Sequence, residues 1–499
     1  MKKFCFVLIV LSVQFFSYSQ INSFDLSKYK LPEMKRHSLD TEFSIAGNNE
    51  RLDGADETYN NYDGEINLIY NSYVNSLQIQ KNKRIEFSLG GGFFNTELND
   101  KLRYKTDELN GYLDINEVYR LYSGSNFSEF DINVIGEYNK NSIKIYENDA
   151  KLFAEDYNIS GLIPIGFGKG RIERVDDARQ AVYILDELVK QGKIAHNFTD
   201  EEIIEFAELV SQLKNKRFFD HRERRIYEIE KIDEFLNSNG YKTASDARYF
   251  TTLNDFWIYG DQQLRESGDR VSFFISPGVL LWNYFQELRD SYNPYDPYGY
   301  GYYYADYTEK EYVHYEAFIA QAGIELTHEN PVNLKWQSGL GMRGYYGFIG
   351  GKISNNESDE ESKFHIPHIC LDVKKSYGFY PNTRTDMTVA LNAKFLKFFE
   401  AIEDYLGGFE GNVFNLSTNF RLNYYISPQL RLTVFHSLSY RKGDDMPANL
   451  ITNYDYNQDL LMYRSLLLMD NDISSNTEYN YYEKRFNNFF NITLTYSFF

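Results

Sequence analysis

The sequence predicts an all-β, antiparallel transmembrane barrel of about 14 strands with an α-helical insertion, and three observations carry that prediction. The final segment, Phe490 to Phe499, alternates apolar and polar residues, as a ribbon with hydrocarbon on one side and a polar lumen on the other must. Connections between such segments are alternately tight and long, the pattern of a barrel with short periplasmic turns and long external loops. Mean hydropathy is -0.53, and past the first residues the chain lacks the runs of about 20 apolar residues that membrane helices require.

The elements follow in order. Residues 1–19 read as an export signal: Lys2-Lys3, an apolar stretch from Phe4 to Val13 too short to span a bilayer, and the small-x-small pattern Ser17-Tyr18-Ser19 before Gln20. Cys5 lies in that signal, so Cys370 has no disulfide partner in the matured chain. Residues 20–36 form a periplasmic amino-terminal segment, and 37–169 supply strands one to six, near 37–47, 64–79, 84–97, 108–122, 127–140 and 154–168. Glycines 166 to 170 are expected to let the chain turn closely out of strand six. Residues 263–499 supply strands seven to fourteen. In 332–348, Val332, Leu334, Trp336, Leu340, Met342, Tyr346 and Phe348 form one oily face, and in 414–427 Phe414, Leu416, Phe420, Leu422, Tyr424 and Ile426 do the same. Tight turns are expected near Asn330-Pro331, Tyr380-Pro381-Asn382 and Ser427-Pro428, and long polar loops near 289–309, 350–362, 401–411 and 443–482. An even strand count puts the insertion and both chain ends on the periplasmic side.

Residues 170–262 obey a different period. Val175, Ala178, Val182, Leu185 and Leu188 recur at three- and four-residue steps, as do Ile203, Phe206, Ala207, Val210 and Leu213. Thr199 and Glu202 make a capping box for the second helix, and a third, through Ile226, Ile229, Ile232, Phe235 and Leu236, stops at Asn239-Gly240. The basic cluster Lys214, Lys216, Arg217, Arg222, Arg224 and Arg225 is a candidate docking surface for an acidic partner or lipid head groups. The competing reading pairs these charges with Asp220, Glu223, Glu228 and Glu230 at helical spacing.

Three runs, Gly166-Phe167-Gly168-Lys169-Gly170-Arg171-Ile172-Glu173-Arg174-Val175-Asp176-Asp177-Ala178-Arg179, Lys214-Asn215-Lys216-Arg217-Phe218-Phe219-Asp220 and Phe250-Thr251-Thr252-Leu253-Asn254-Asp255, resemble uncharacterised outer-membrane β-barrel proteins of Bacteroidota. The resemblance extends over most of the mature chain, including Leu31-Pro32-Glu33. It implies location and architecture but no activity.

The chemistry expected of the lumen is that of a porin-like passive channel. Inferred inward residues separate by sign: Glu65, Glu86, Asp114, Asp131 and Glu137 on early strands, Lys335, Arg343, Lys394, Arg421 and Arg431 on later ones. Facing rows of opposite charge would orient small polar solutes in passage; the alternative is a plugged barrel of arginine-carboxylate pairs, a structural protein whose insertion docks a periplasmic partner. No enzymatic activity, cofactor or metal is expected. His436 falls in the lipid-facing phase with Leu432 and Val434, while Pro367 is expected to break the alternation between His365, His368 and Cys370, leaving a histidine pair at a bulge. Gly90-Gly91-Gly92 lies inside a strand and is no phosphate loop. A net charge of -20 argues against nucleic acid, and outer-membrane lipid is the expected surrounding. The tyrosine-rich loop from Tyr292 to Tyr304 is a candidate sugar-stacking or merely adhesive surface.

Overall fold

The structure, a computed structural model, describes residues 24–52, 57–98, 102–146, 150–216, 220–260, 264–292, 305–356, 362–399, 411–427, 430–443 and 484–496. The export signal, the loop 293–304, Arg217 and the terminal Phe498-Phe499 fall outside these residues.

Alternating apolar residues produce strands here because each exposes one face to lipid and pairs every backbone amide with a neighbour. In chain order the segments are β1 (Met34–Leu52), β2 (Glu57–Asn75), β3 (Ile79–Leu98), β4 (Leu102–Ser123), β5 (Asn126–Ile145), β6 (Ala150–Leu162), β7 (Ile165–Arg174), β8 (Glu266–Tyr292), β9 (Ala305–Asn330), β10 (Trp336–Asn355), β11 (Ser362–Asn382), β12 (Thr385–Phe398), β13 (Gly411–Tyr425), β14 (Leu430–Gly443) and β15 (Lys484–Tyr496). All pairings are antiparallel and, apart from β5 with β7 and β6 with β8, run between chain neighbours, and the sheet curls into a barrel. Outward positions are exposed apolar residues throughout, among them Ile66, Phe87, Phe130, Phe273, Phe318, Tyr346, Leu371, Phe414 and Ile492. This is the lipid-facing band of a membrane-spanning, outer-membrane-type barrel.

The segments β6 and β7 share one place in the sheet. β6 pairs with residues 133–145 of β5, and β7 with residues 126–130 of the same strand; both also pair with β8. The interruption falls at Ile163-Pro164, where proline has no amide to donate. The Pro164 carbonyl still accepts from the Asp131 amide, and the Ile163 amide donates to Pro277. Among the described residues, fifteen segments therefore occupy fourteen places in the sheet.

Turns at one end are short, at Ser76 to Gln78, Gly124-Ser125, residues 331–335, Thr383-Arg384 and residues 426–429. The strand ends that flank the longer connections, such as Tyr292 and Ala305 or Phe398 and Gly411, lie at the other end. The insertion emerges at the short-turn end as four helices: α1 (Asp176–Lys190), α2 (Asp200–Asn215), α3 (His221–Ser238) and α4 (Ala247–Gly260). Its core unites Val182, Leu185, Phe206, Val210, Ile232, Leu253 and Trp257 with Phe24, Leu26, Tyr29 and Leu31 of the amino-terminal segment. Burying each such side chain contributes roughly 1.5–3 kcal/mol. The Thr199 hydroxyl accepts from the Glu202 amide and the Glu202 carboxylate from the Thr199 amide, closing the expected capping box. Gly240, at φ 70°, ends α3 as Asn239-Gly240 predicted.

Several expectations are corrected. Glycines 166 to 170 do not turn the chain out of its strand; β7 runs on to Arg174, and the helices begin at Asp176 rather than at 170. Their role is close approach. At Gly170, φ is 98°, and a Cβ there would strike the Asp269 carbonyl of β8; at Gly268, φ is 130°, and a Cβ would strike the Arg171 carbonyl. A fourth helix, α4, exists where three were read. Leu334 does not face lipid but is buried in the helical core. Pro367 does not break β11: it sits in continuous register opposite Phe348, so His368 and Cys370 share the buried face while His365 is exposed, with no bulge between them.

Candidate functional site

The site is the barrel interior together with the helices that close it. Those helices lie across the short-turn mouth because polar groups fasten them to strands on several sides. Arg36 of β1 donates to Asp177 of α1 at 2.9 Å, and Lys214 of α2 donates to the other oxygen of the same carboxylate at 2.8 Å. Asp177 is fully buried, and Lys214 is 5% exposed. Burial alone would raise the Asp177 carboxyl, but Lys214 and Arg36 beside it outweigh burial and hold it below the usual carboxylate range. Across the mouth, the Tyr183 hydroxyl of α1 lies 3.4 Å from the carbonyls of Leu334 and Tyr380. Arg384 reaches Asp255 of α4 and stacks over the Tyr259 ring at 4.1 Å. Arg265, 1% exposed, donates to the carbonyls of Asn333, Leu334 and Trp336 and to Gln337. It thereby binds the chain returning from α4 to the β9–β10 turn. Arg171 does the same for the β2–β3 turn, donating to Ser76 and Leu77 carbonyls at 2.7 and 3.1 Å.

Within the lumen the two walls differ. On β8 to β13 the inward positions are largely apolar and close-packed: Leu280, Trp282, Tyr315, Ile319, Tyr345, Ile349, Ile366, Cys370, Leu396, Phe398 and Val413 form one buried cluster. On β2 to β5 the inward positions are polar. Toward the long-loop end they form a groove of about 510 Å³ lined by Asp63, Glu65, Glu108 and Glu137, with room left by Gly90 and Gly92. Beneath the helices lies a chamber of about 520 Å³ lined by residues from β2 to β11. Between the two, the same strands carry Arg84, Glu86 and Asp114, with the buried Ile135 of the apolar cluster opposite Asp114, so polar residues follow the inner wall on β3 and β4 from the groove toward the chamber.

The chamber interleaves charges. Arg120 pairs with Glu129, Arg270 with Glu325 at 3.1 Å, and Arg174 with Asp176 of α1 at 3.0 Å. The expected separation of acidic and basic rows is therefore corrected here: guanidiniums stand on early strands and carboxylates on late ones, each drawing its counter-ion close. Among the expected pore-lining residues, Glu65 and Glu137 meet in the groove, and Asp131 and Arg343 meet in the chamber. Glu86 accepts from Arg84 at 2.7 Å, and Asp114, 8% exposed, lies between the two cavities in sequence register. Lys394 is buried opposite Asp372 in register; Arg421 and Arg431 lie over the Phe435 and Tyr425 rings at 5.7 and 5.9 Å, outside both cavities. Lys335 does not line the lumen, because it occupies the turn ahead of β10.

The docking cluster is also redistributed. Lys214 is not presented to a partner, since Asp177 needs its charge. Arg224 and Arg225 pair with Glu228 at 2.7 and 3.4 Å, and Lys216 lies 3.7 Å over the Tyr227 ring. Arg222 is exposed. Sequence reasoning missed Arg265, Tyr183 and Arg36. Their only signal was polar residues at the ends of apolar segments, which marks any barrel rim.

No protein-family model and no curated relative matches the sequence. Among solved structures, the chain is similar to the transport unit of the autotransporter AIDA-I from Escherichia coli, at 8% identity and a TM-score of 0.26, over 82% of this chain and 100% of that one. It is similar to the translocator domain of autotransporter NalP from Neisseria meningitidis at 8% identity and TM-score 0.23, covering 74% and 84%. The outer membrane protein OprD from Pseudomonas aeruginosa follows at 8% identity and TM-score 0.17, covering 84% and 91%.

Proposed function

We propose that this chain is an outer-membrane conduit for small polar solutes, exported by its amino-terminal signal and held shut at the periplasmic end by its helical insertion. The resemblance to Bacteroidota barrels accords with that location. The observation that carries the reading is the set of polar inward residues that leads from the long-loop end to a chamber whose lining residue Arg174 is paired with Asp176 at the start of α1. On this reading a solute in the chamber meets the Arg174–Asp176 pair at the foot of α1, and passage requires the cap to move. The fastenings around Asp177, Arg265 and Arg384 are what it would have to release.

Planar-bilayer recording tests this. β7 and β8 pair as far as Arg174 opposite Glu266, so residues 176–264 can be replaced by a two-residue Asn-Gly turn that closes a hairpin. The intact protein should be silent or rarely open, and the hairpin variant should give discrete conductance steps. Silence from both, with the barrel folded, would remove the conduit reading. The apolar packing on β8 to β13 favours a second reading, a closed barrel whose cap docks a periplasmic protein. That reading expects co-purification of a partner to vanish on cap removal while both forms stay silent.

A further inference from the structure

We infer that the chamber beneath the cap is a binding site for a small zwitterion, a free α-amino acid or short peptide carrying both an ammonium and a carboxylate group. The inference rests on the reading that the long-loop end admits small solutes, and adds what they are. Its volume, about 520 Å³, lies in the range of small-molecule pockets, which is roughly 300–1,000 Å³.

The charges decide the ligand class. Arg120, Arg174 and Arg270 are satisfied by Glu129, Asp176 and Glu325. Four charged groups on the lining have no ion pair within 4 Å among the described residues: the carboxylates of Asp131 on β5, Glu266 on β8 and Glu329 on β9, the last accepting from the Gln337 amide at 3.0 Å, and the ammonium of Lys374 on β11. One Asp131 carboxylate oxygen is buried with no hydrogen-bond donor at all. A buried carboxylate without a donor is costly, and a ligand ammonium supplies one. The acids and the lysine come from strands β5, β8, β9 and β11, and the glycine Gly341 leaves the wall beside Lys374 open. One molecule with charges of both signs satisfies both sectors; a simple cation or anion satisfies only one.

The route supports the same choice. Asp63, Glu65, Glu108 and Glu137 in the groove would repel anions, while an ammonium group leads a zwitterion past them.

The test is calorimetric titration of the full-length, detergent-folded protein with L-alanyl-L-alanine, its N-acetyl derivative and its carboxamide. Folding of each variant is checked by heat-modifiable gel mobility. The dipeptide should bind, and each analogue should bind at least tenfold more weakly. Asp131→Asn with Glu266→Gln should erase the preference for the dipeptide over the acetylated form. Lys374→Gln, at an exposed and structurally tolerant position, should erase the preference over the carboxamide, and it carries the test if the acidic variant fails to assemble. No binding by the intact protein, or equal binding of dipeptide and either analogue, overturns the proposal. Because binding is read without current, a silent bilayer with intact dipeptide selectivity would sink the conduit reading alone.

Discussion

Asp177→Ala tests how firmly the cap is held. The carboxylate it removes is fully buried and shared by two cations, Lys214 at 2.8 Å and Arg36 at 2.9 Å. Arg36 is 19% exposed and already reaches Asn215, so it can turn to water and to that amide; Lys214, 5% exposed, cannot. Deleting one partner of a buried pair typically costs about 3–5 kcal/mol, chiefly from the charge left behind. At 1.4 kcal/mol per tenfold, that shifts the cap's opening equilibrium by roughly 100- to 4,000-fold. Native-state proteolysis of the insertion in the folded barrel reads this shift directly, with bilayer current as a second readout. Replacing both charges, Asp177→Leu with Lys214→Met, should restore most of the protection. A cleavage rate within about fivefold of wild type, near 1 kcal/mol, would refute the argument that this pair fastens the cap.

Three further outcomes are expected. Hydrogen bonds from the Thr199 amide and His196 pull the Glu202 carboxyl down to about 2, so its contribution is complete above the ordinary carboxylate range and is lost as pH falls from about 4.5 toward 2. The Asp177 carboxyl, also lowered, adds in the same direction, so helical circular dichroism or protease resistance of the cap should decline across that acid window and be flat from pH 5 to 7. Gly170→Ala should impair assembly, seen as loss of heat-modifiable mobility, because it combines a positive φ with a clash against β8; Gly192→Ala, at φ 66° with open space around it, should cost only about 1–2 kcal/mol and leave assembly intact. A single cysteine at Asn197, in a Cys370→Ala background, should resist a membrane-impermeant reagent on intact cells and react after the outer membrane is permeabilised; labelling from outside would place the cap on the external face.

Much of the architecture was legible because lipid imposes a strict period. The outward residues of β13 and β10, the capping box and the Asn239-Gly240 stop follow from local patterning. Other features were hidden for identifiable reasons. Tyr345, Ile349, Ile366 and Leu396 fill the lumen, but they alternate with outward residues such as Tyr346, Ile369 and Phe395, so both faces read apolar and the inward one leaves no contrast. The helix α4 buries Tyr249, Leu253 and Trp257 on one face, yet its Thr251-Thr252 pair and aromatics weaken the helical signal. The paired charges of the chamber depend on register between strands far apart in sequence, as Arg270 and Glu325 show, and no local window contains that information.

The amino-terminal segment has a consequence for how the molecule is built. Phe24, Leu26, Tyr29 and Leu31 lie in one hydrophobic core with helices from mid-chain, so the start of the first strand and the junction of the seventh and eighth belong to one small body. A barrel that must bring distant strands around a circle loses entropy in proportion to the logarithm of the span it closes. Seating the amino-terminal segment among the helices divides that span in two. The cap thus serves as a jig that sets the circumference, and trimming residues Phe24 to Glu33 should slow closure of the cylinder even where every membrane strand is left intact.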